Sequence, residues 1–181
     1  AKSYMDMEAK GDIDQMTGLL NKNGMEKRFE QITGQSKRDS SPFVIFFFDL
    51  NCLKSINDTL GLGHRAGDEL IKDTAKILNS EKRPGDIVAR RSGDEFIVIL
   101  PATNIKEAMP YWKRKKEQFD NYINPLYQIP IYVSAGAVEG NPDDIHESIN
   151  LADELMNLAK KEAEITANKR IRILRTIDCL E

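Results

Sequence analysis

Residues 43–50 read Phe-Val-Ile-Phe-Phe-Phe-Asp-Leu, an apolar run broken only by Asp49 near its end. A run of that length without polar alternation predicts a central strand buried on both faces. Before it, a helix stub is predicted over residues 2–10, a helix from Asn21 to about Gln31, and a polar break at Asp39–Pro42. After it come helical patterns over about 52–60 and 65–80. The second carries Leu70, Ile71, Thr74, Ala75, Ile77 and Leu78 at helical spacing. Two apolar runs, Asp86–Ala89 and Phe96–Leu100, flank Ser92-Gly93-Asp94-Glu95 and predict strand, tight turn, strand, with Gly93 taking a backbone conformation other residues avoid. Residues 105–122 read as a helix whose regular part starts at Pro110, where a proline costs least. Ile129–Val138 reads as a strand. Residues 143–164 are the clearest helix, opened by Pro142-Asp143-Asp144 and striped by Ile145, Ile149, Ala152, Met156 and Ala159. Arg170–Arg175 alternates like a half-buried edge strand. Strands interleaved with helices imply an α/β (α+β) sheet with helices on it.

Composition narrows the function classes. A chain of 181 residues can bury a core as one domain. Lys plus Arg number 26 against 29 Asp plus Glu, a net charge of −3, without the basic excess of a nucleic-acid backbone binder. Cys52 and Cys179 form no CxxC pair, so reduced thiols in the cytoplasm are the simplest reading. Phe43–Phe48 is too short to span a bilayer, and no signal peptide is seen. The opening Ala1-Lys2-Ser3 reads as the edge of a fragment cut from a longer chain. Neither GxGxxG nor GxxxxGK[ST] occurs, so Rossmann and P-loop nucleotide sites are unsupported.

Several positions carry chemistry, each with a plainer reading beside it. Asp94 and Glu95 sit at a turn tip, which is either a solvated hairpin end or carboxylates for a hard cation next to phosphates. Asp49 is either a polar strand end or a second cation ligand, and it converges with Asp94 if their strands pair. The helix after Asp49 points free amides at that acid, with Lys54 in its first turn. This is an anion site, or an ordinary helix capped by Asn51. Asp68, after Gly61–Gly67, is a ligand contact or an N-cap. Arg83-Pro84-Gly85-Asp86 suits a type II turn, which requires neither Arg83 nor Asp86. Lys160 and Lys161 end the stripe of the late helix, where cations are favoured on dipole grounds alone. Lys113-Arg114-Lys115-Lys116 reads as a solvated helix face. His64 has no nucleophile to pair with, so no hydrolase triad is supported.

Taken together the segments resemble the GGDEF family, the diguanylate cyclases, over about residues 12–175. Asp14-Gln15-Met16-Thr17-Gly18-Leu19-Leu20-Asn21 is similar to D-x-L-T-G-L-x-N. Asp49-Leu50-Asn51 with Lys54-Ser55-Ile56-Asn57-Asp58 is similar to D-x-D-x-F-K-x-I-N-D. Gly63-His64-Arg65-Ala66-Gly67-Asp68 is similar to G-H-x-x-G-D, and Arg90-Arg91-Ser92-Gly93-Asp94-Glu95-Phe96 to R-Y-G-G-D-E-F. Ala152-Asp153 through Ala159-Lys160 is similar to A-D-x-A-L-Y-x-A-K.

The resemblance implies a palm-like fold with a mostly antiparallel sheet of about five strands. It implies a linker stub over residues 1–11 and a catalytic domain over 12–181. It implies that two GTP molecules on facing subunits of a homodimer become cyclic di-GMP with release of pyrophosphate. Asp49, the Leu50 carbonyl and Asp94 would hold Mg²⁺, with Mn²⁺ as a substitute, and Glu95 would assist at the metal or accept a proton. The amides of Cys52 and Leu53, with Lys54 and Lys160, would hold phosphates. Asn57 and Asp68 would read guanine, and Ser92 and Gly93 would let the turn lie close to the nucleotide. Arg83 and Asp86 resemble the family's product-inhibition site. The implied partners are GTP, cyclic di-GMP, a second copy of the chain and an upstream sensor. No nucleic acid is expected, and no membrane contact by this domain, with any anchor lying in an upstream region of the full-length protein.

The chain departs from the family pattern in four places. Ser92 replaces the first signature glycine, and Asn51 replaces the second acid of D-x-D. Two extra residues lie between Asn57 and Asp68, within Thr59–Gly63. Glu164 stands where the family has a second phosphate-binding Arg, with Lys161 or Arg170 as compensating cations. A degenerate domain that senses GTP or cyclic di-GMP without turnover is the alternative reading.

Overall fold

A computed structural model describes residues 11–59 and 64–178, with side chains left out at residues 55, 58, 59 and 164–178. The helix stub expected at 2–10, Gly61 and Gly63 of the glycine-rich loop, and Cys179 lie outside the described residues. The elements in order are α1 (Lys22–Asp39), β1 (Phe43–Leu50), α2 (Leu53–Thr59), α3 (His64–Asn79), β2 (Ile87–Ser92), β3 (Glu95–Pro101), α4 (Ile105–Asp120), β4 (Val133–Glu139) and α5 (Ile145–Asp178). The fold is α+β. The sheet has four strands in the order β2-β3-β1-β4, with antiparallel pairing throughout, rather than about five.

β1 is buried at every position, which is why its sequence lacks alternation. Its even-numbered residues Val44, Phe46, Phe48 and Leu50 join a core with Leu70, Ile71 and Leu78 of α3 and Tyr111 and Phe119 of α4. Its odd-numbered residues Phe43, Ile45 and Phe47 pack with Met25 and Phe29 of α1 and with Ile145, Ile149 and Met156 of α5. The period of two along the strand thus splits one apolar run between two helical layers. α5 lies directly on β4: a Cβ added at Gly136 would come within 2.0 Å of the Ala152 carbonyl oxygen.

Several expectations are corrected. Arg170–Arg175 is not an edge strand. It continues α5, and losing it accounts for the missing strand. Helical spacing persists through its apolar positions, and no neighbouring strand edge recruits it. Lys160 therefore lies mid-helix, and the dipole argument for it lapses. β4 begins at Val133, because Ile129–Tyr132 belongs to a loop closed by Asn124, whose side chain accepts the amides of Leu126 and Tyr127 at 3.0 and 2.9 Å. α4 begins at Ile105, before Pro110, because Asn104 and Glu107 form a reciprocal capping box that starts the helix there. α1 extends to Asp39. His64 is the first residue of α3 rather than a loop residue, so Asp68 is inside that helix and is not its N-cap.

Candidate active site

β1 delivers Asp49 and Leu50 to one end of the sheet. Antiparallel pairing sets Asp49 opposite Glu95 of β3 on one side and opposite Ser134 of β4 on the other. The Leu50 amide donates to the Asp94 carbonyl at 3.1 Å. The acid that closes the central strand and the acidic turn are therefore neighbours. Asp49 is only 8 % exposed. Lys160 reaches it from α5 and donates to its Oδ1 at 2.6 Å. Burial pushes the Asp49 carboxyl above the usual range. The Lys160 hydrogen bond and charge oppose this, and the charges of Asp94 and Glu95 add to it.

The turn between β2 and β3 keeps Gly93 at φ 39°, while Ser92 stays out of the left-handed region. Serine is thus tolerated in the first signature position without backbone strain. The Ser92 hydroxyl donates to Glu95 Oε2 at 2.5 Å, and Arg91 Nη1 lies 3.3 Å from the same oxygen. Behind the turn, Arg90 donates from Nε and Nη2 to the Gly93 carbonyl at 2.9 and 2.7 Å. Its Nη1 bonds both carboxylate oxygens of Asp14 at 3.2 Å. Asp14 in turn accepts the Thr17 amide and hydroxyl at 2.9 and 2.7 Å. Asp14 and Thr17 therefore brace the acidic turn through Arg90.

α2 opens at Cys52, whose carbonyl accepts the Ile56 amide at 3.0 Å and whose φ is 64°. Asn51 is not its N-cap, because its side-chain amide donates across the sheet to Ser134 Oγ at 3.0 Å. Lys54 is exposed and Leu53 half-buried. Asn57 is pressed against α3: a Cβ at Gly67 would lie 2.6 Å from Asn57 Oδ1. That oxygen is buried and has no hydrogen-bond partner among the described residues. Asp68, the next residue of α3, is half-buried. Asn57 thus packs against Gly67, one residue from Asp68.

Arg83 and Asp86 lie apart from this end of the sheet. Their turn is closed by the Asp86 amide donating to the Arg83 carbonyl at 3.0 Å. It is not type II, since Gly85 has no positive φ. Asp86 is buried and accepts the Arg83 amide at 2.8 Å. Arg83 is exposed and shares a cavity with Asp86, Tyr111 and Arg114.

The sequence reading missed Arg90 as a brace and Arg114 as a neighbour of Arg83. It also took Lys113–Lys116 for a solvated face. Lys115 is fully buried and donates to the carbonyls of Ile77 and Ser80, each at 2.6 Å, tying α4 to the end of α3. A charge run hides such a residue, because only helical phase separates Lys115, level with Tyr111 and Phe119, from its exposed neighbours. Among the described residues no three His, Cys, Asp or Glu side chains cluster closely enough to make a metal site by themselves.

An α+β palm with an acid-bearing strand end beside an SGDEF turn defines the class of domain. The chain belongs to the GGDEF family: it matches "Diguanylate cyclase, GGDEF domain" over residues 11–165. It is 32% identical over 155 residues to "Probable diguanylate cyclase DgcT" of Escherichia coli (strain K12), covering 82% of this chain and 33% of that one. The chain thus spans about a third of that relative's length. It resembles the crystal structure of diguanylate cyclase SiaD in complex with its activator SiaC from Pseudomonas aeruginosa, with a TM-score of 0.79 at 25% identity over 89% of this chain and 63% of that one. The coiled coil and GGDEF domain of DgcB from Caulobacter crescentus, in complex with c-di-GMP, shares the fold with a TM-score of 0.79 at 20% identity over 89% and 86% of the two chains. No helix among the described residues is long and apolar enough to cross a membrane.

Proposed function

We propose that this chain is a diguanylate cyclase domain, with residues 12–181 catalytic and residues 1–11 the end of a linker from an upstream sensor. Two GTP molecules, one on each of two facing copies, are joined into cyclic di-GMP with release of two pyrophosphates. The observation that carries this is the buried Asp49 beside the Asp94–Glu95 turn, with Lys160 on its carboxylate.

The donor set suits a hard divalent cation. Asp49 and Asp94 are carboxylates on neighbouring segments, and the Leu50 carbonyl adds a third oxygen. Mutual repulsion with Asp94 and Glu95 already burdens Asp49, so a cation relieves charge that Lys160 offsets only in part. Magnesium bound there would lower the pKa of the attacking 3′-hydroxyl and neutralise charge on the phosphates. Glu95 assists at the metal or accepts the hydroxyl proton. Lys54, Lys160 and the amides of Cys52 and Leu53 hold the β- and γ-phosphates. Asn57 and Asp68 read guanine, and the unpartnered Asn57 Oδ1 supplies an acceptor for a ring or exocyclic N–H. Ser92 and Gly93 admit the nucleotide against the turn. Arg83 and Asp86 bind the product and restrain turnover, with Arg114 lining the same cavity.

Purified protein incubated with GTP and Mg²⁺ should yield cyclic di-GMP, and Asp94→Ala should lower the rate by about three orders of magnitude or more. Absence of product at high protein concentration overturns the reading. A second reading, a sensor that binds GTP or cyclic di-GMP without turnover, is favoured by one feature: Ser92 and Arg91 both hold Glu95 Oε2, which restrains that carboxylate. Tight cyclic di-GMP binding that is lost in Arg83→Ala, with no turnover, would select it.

A further inference from the structure

A cavity of about 480 Å³ opens between α4 and the segment leading into β4. Its walls are Trp112 and Phe119 from α4 and Ile131, Tyr132 and Val133 from the facing segment. Lys160 and Lys116 also line it, and Asp120, ion-paired to Lys116, is the one acid that lines it among the described residues. Lys160 in turn is bonded to Asp49.

These walls serve no part of the reading above. Tyr132 is 61 % exposed, although its own carbonyl is fixed by the Asn51 amide at 2.8 Å. A large ring is therefore held out on anchored backbone without covering the core. Trp112 is half-buried, and its ring lies 6.1 Å from that of Phe48, so its position is set by the sheet. Rings fixed on one wall and presented on the other make a slot for a flat π-system. The size falls in the range of small-molecule sites, and predominantly apolar walls with few polar groups are their usual character. Both lining lysines are already ion-paired, Lys116 to Asp120 and Lys160 to Asp49, so the lining has no surplus charge and favours an uncharged occupant.

We propose that this cavity is a second ligand site, distinct from the guanine and product subsites, which takes an uncharged planar aromatic molecule. Its rings lie between Trp112 and Tyr132. Because Asn51, Cys52 and Lys160 line both this cavity and the end of β1, an occupant would sit next to the phosphate end of the nucleotide site.

Trp112 is the only tryptophan in the chain, so occupancy can be read without any activity assay. The probe is uncharged N-phenyl-1-naphthylamine added to the full chain, with excitation of Trp112 and emission read from the probe. Saturable binding of one probe per chain with energy transfer from Trp112 is expected. Tyr132→Ser, at an exposed position, should weaken it by roughly fivefold or more with an unchanged melting temperature. Lys116→Glu, which changes the lining charge but no ring, should leave the affinity for this probe unchanged within about twofold. No saturable transfer from Trp112, or binding indifferent to Tyr132→Ser, overturns the proposal. A loss in Lys116→Glu as large as that in Tyr132→Ser overturns the assignment of an uncharged aromatic occupant.

Discussion

Arg90 shows how a single side chain can carry a site it does not enter. Its guanidinium spans the Gly93 carbonyl and the Asp14 carboxylate, so the acidic turn is held by a segment some seventy-six residues earlier. Burial raises the Asp14 carboxyl, but the Thr17 hydroxyl and amide and the Arg90 bond and charge outweigh it, and the net shift is downward. A carboxyl with a depressed folded pKa adds stability above its unfolded value, and that stability is lost as pH falls through the folded value. Melting temperature should therefore fall more steeply below about pH 4 in the parent chain than in Asp14→Asn. Parallel curves would mean that the brace carries no linkage.

At the scale of elements, two contacts decide how the layers sit. Gly136 lets α5 touch β4, with the Ala152 carbonyl where a Cβ would go. The neighbour there is backbone and cannot rotate away, so Gly136→Ala should cost about 3 kcal/mol in a denaturant titration. Lys160 rides on the same helix, so this variant should also loosen the Lys160–Asp49 bond. On the other face, Lys115 joins α4 to the end of α3. Burial, with help from the Arg114 charge, brings its pKa down to about 8 from 10.5. Between those values the unfolded chain binds more protons than the folded one, so stability should rise as pH climbs through that window. Lys115→Met should flatten the rise, as read from urea midpoints at pH 7.5 and 10. It should also lower stability by about 2 kcal/mol at neutral pH, through the orphaned carbonyls of Ile77 and Ser80.

At the scale of the whole molecule, the proposed reaction needs two copies, because each 3′-hydroxyl attacks the phosphorus held by the other. Specific activity should therefore rise with protein concentration and level off as dimers fill. A rate per milligram that stays flat from nanomolar to micromolar protein, with sedimentation showing monomers throughout, would count against this. Much of the fold was legible beforehand. β1, the hairpin around Gly93, the helix over 65–80 and the first part of the late helix follow from apolar periodicity, which is a local property; that helix runs on to Asp178, past the expected end at 164. The tail at Arg170–Arg175 misled, because alternation over six residues suits a strand only if a sheet edge stands ready for it. α4 began early because a capping box outweighed Pro110.

The sequence by itself determined the family, the acids Asp49, Asp94 and Glu95 as candidates, and the freedom required at Gly93, since each rests on residue type and short spacing. Only the tertiary structure decided that Asp49 lies opposite Glu95, that Lys160 reaches Asp49 across more than a hundred residues of chain, and that Arg90 braces the turn. Strand register and helix docking maximise buried apolar area and minimise unpaired polar groups over the whole chain at once. No local pattern encodes that sum, and for the same reason a run of four basic residues could conceal one lysine at the core and one arginine beside Arg83.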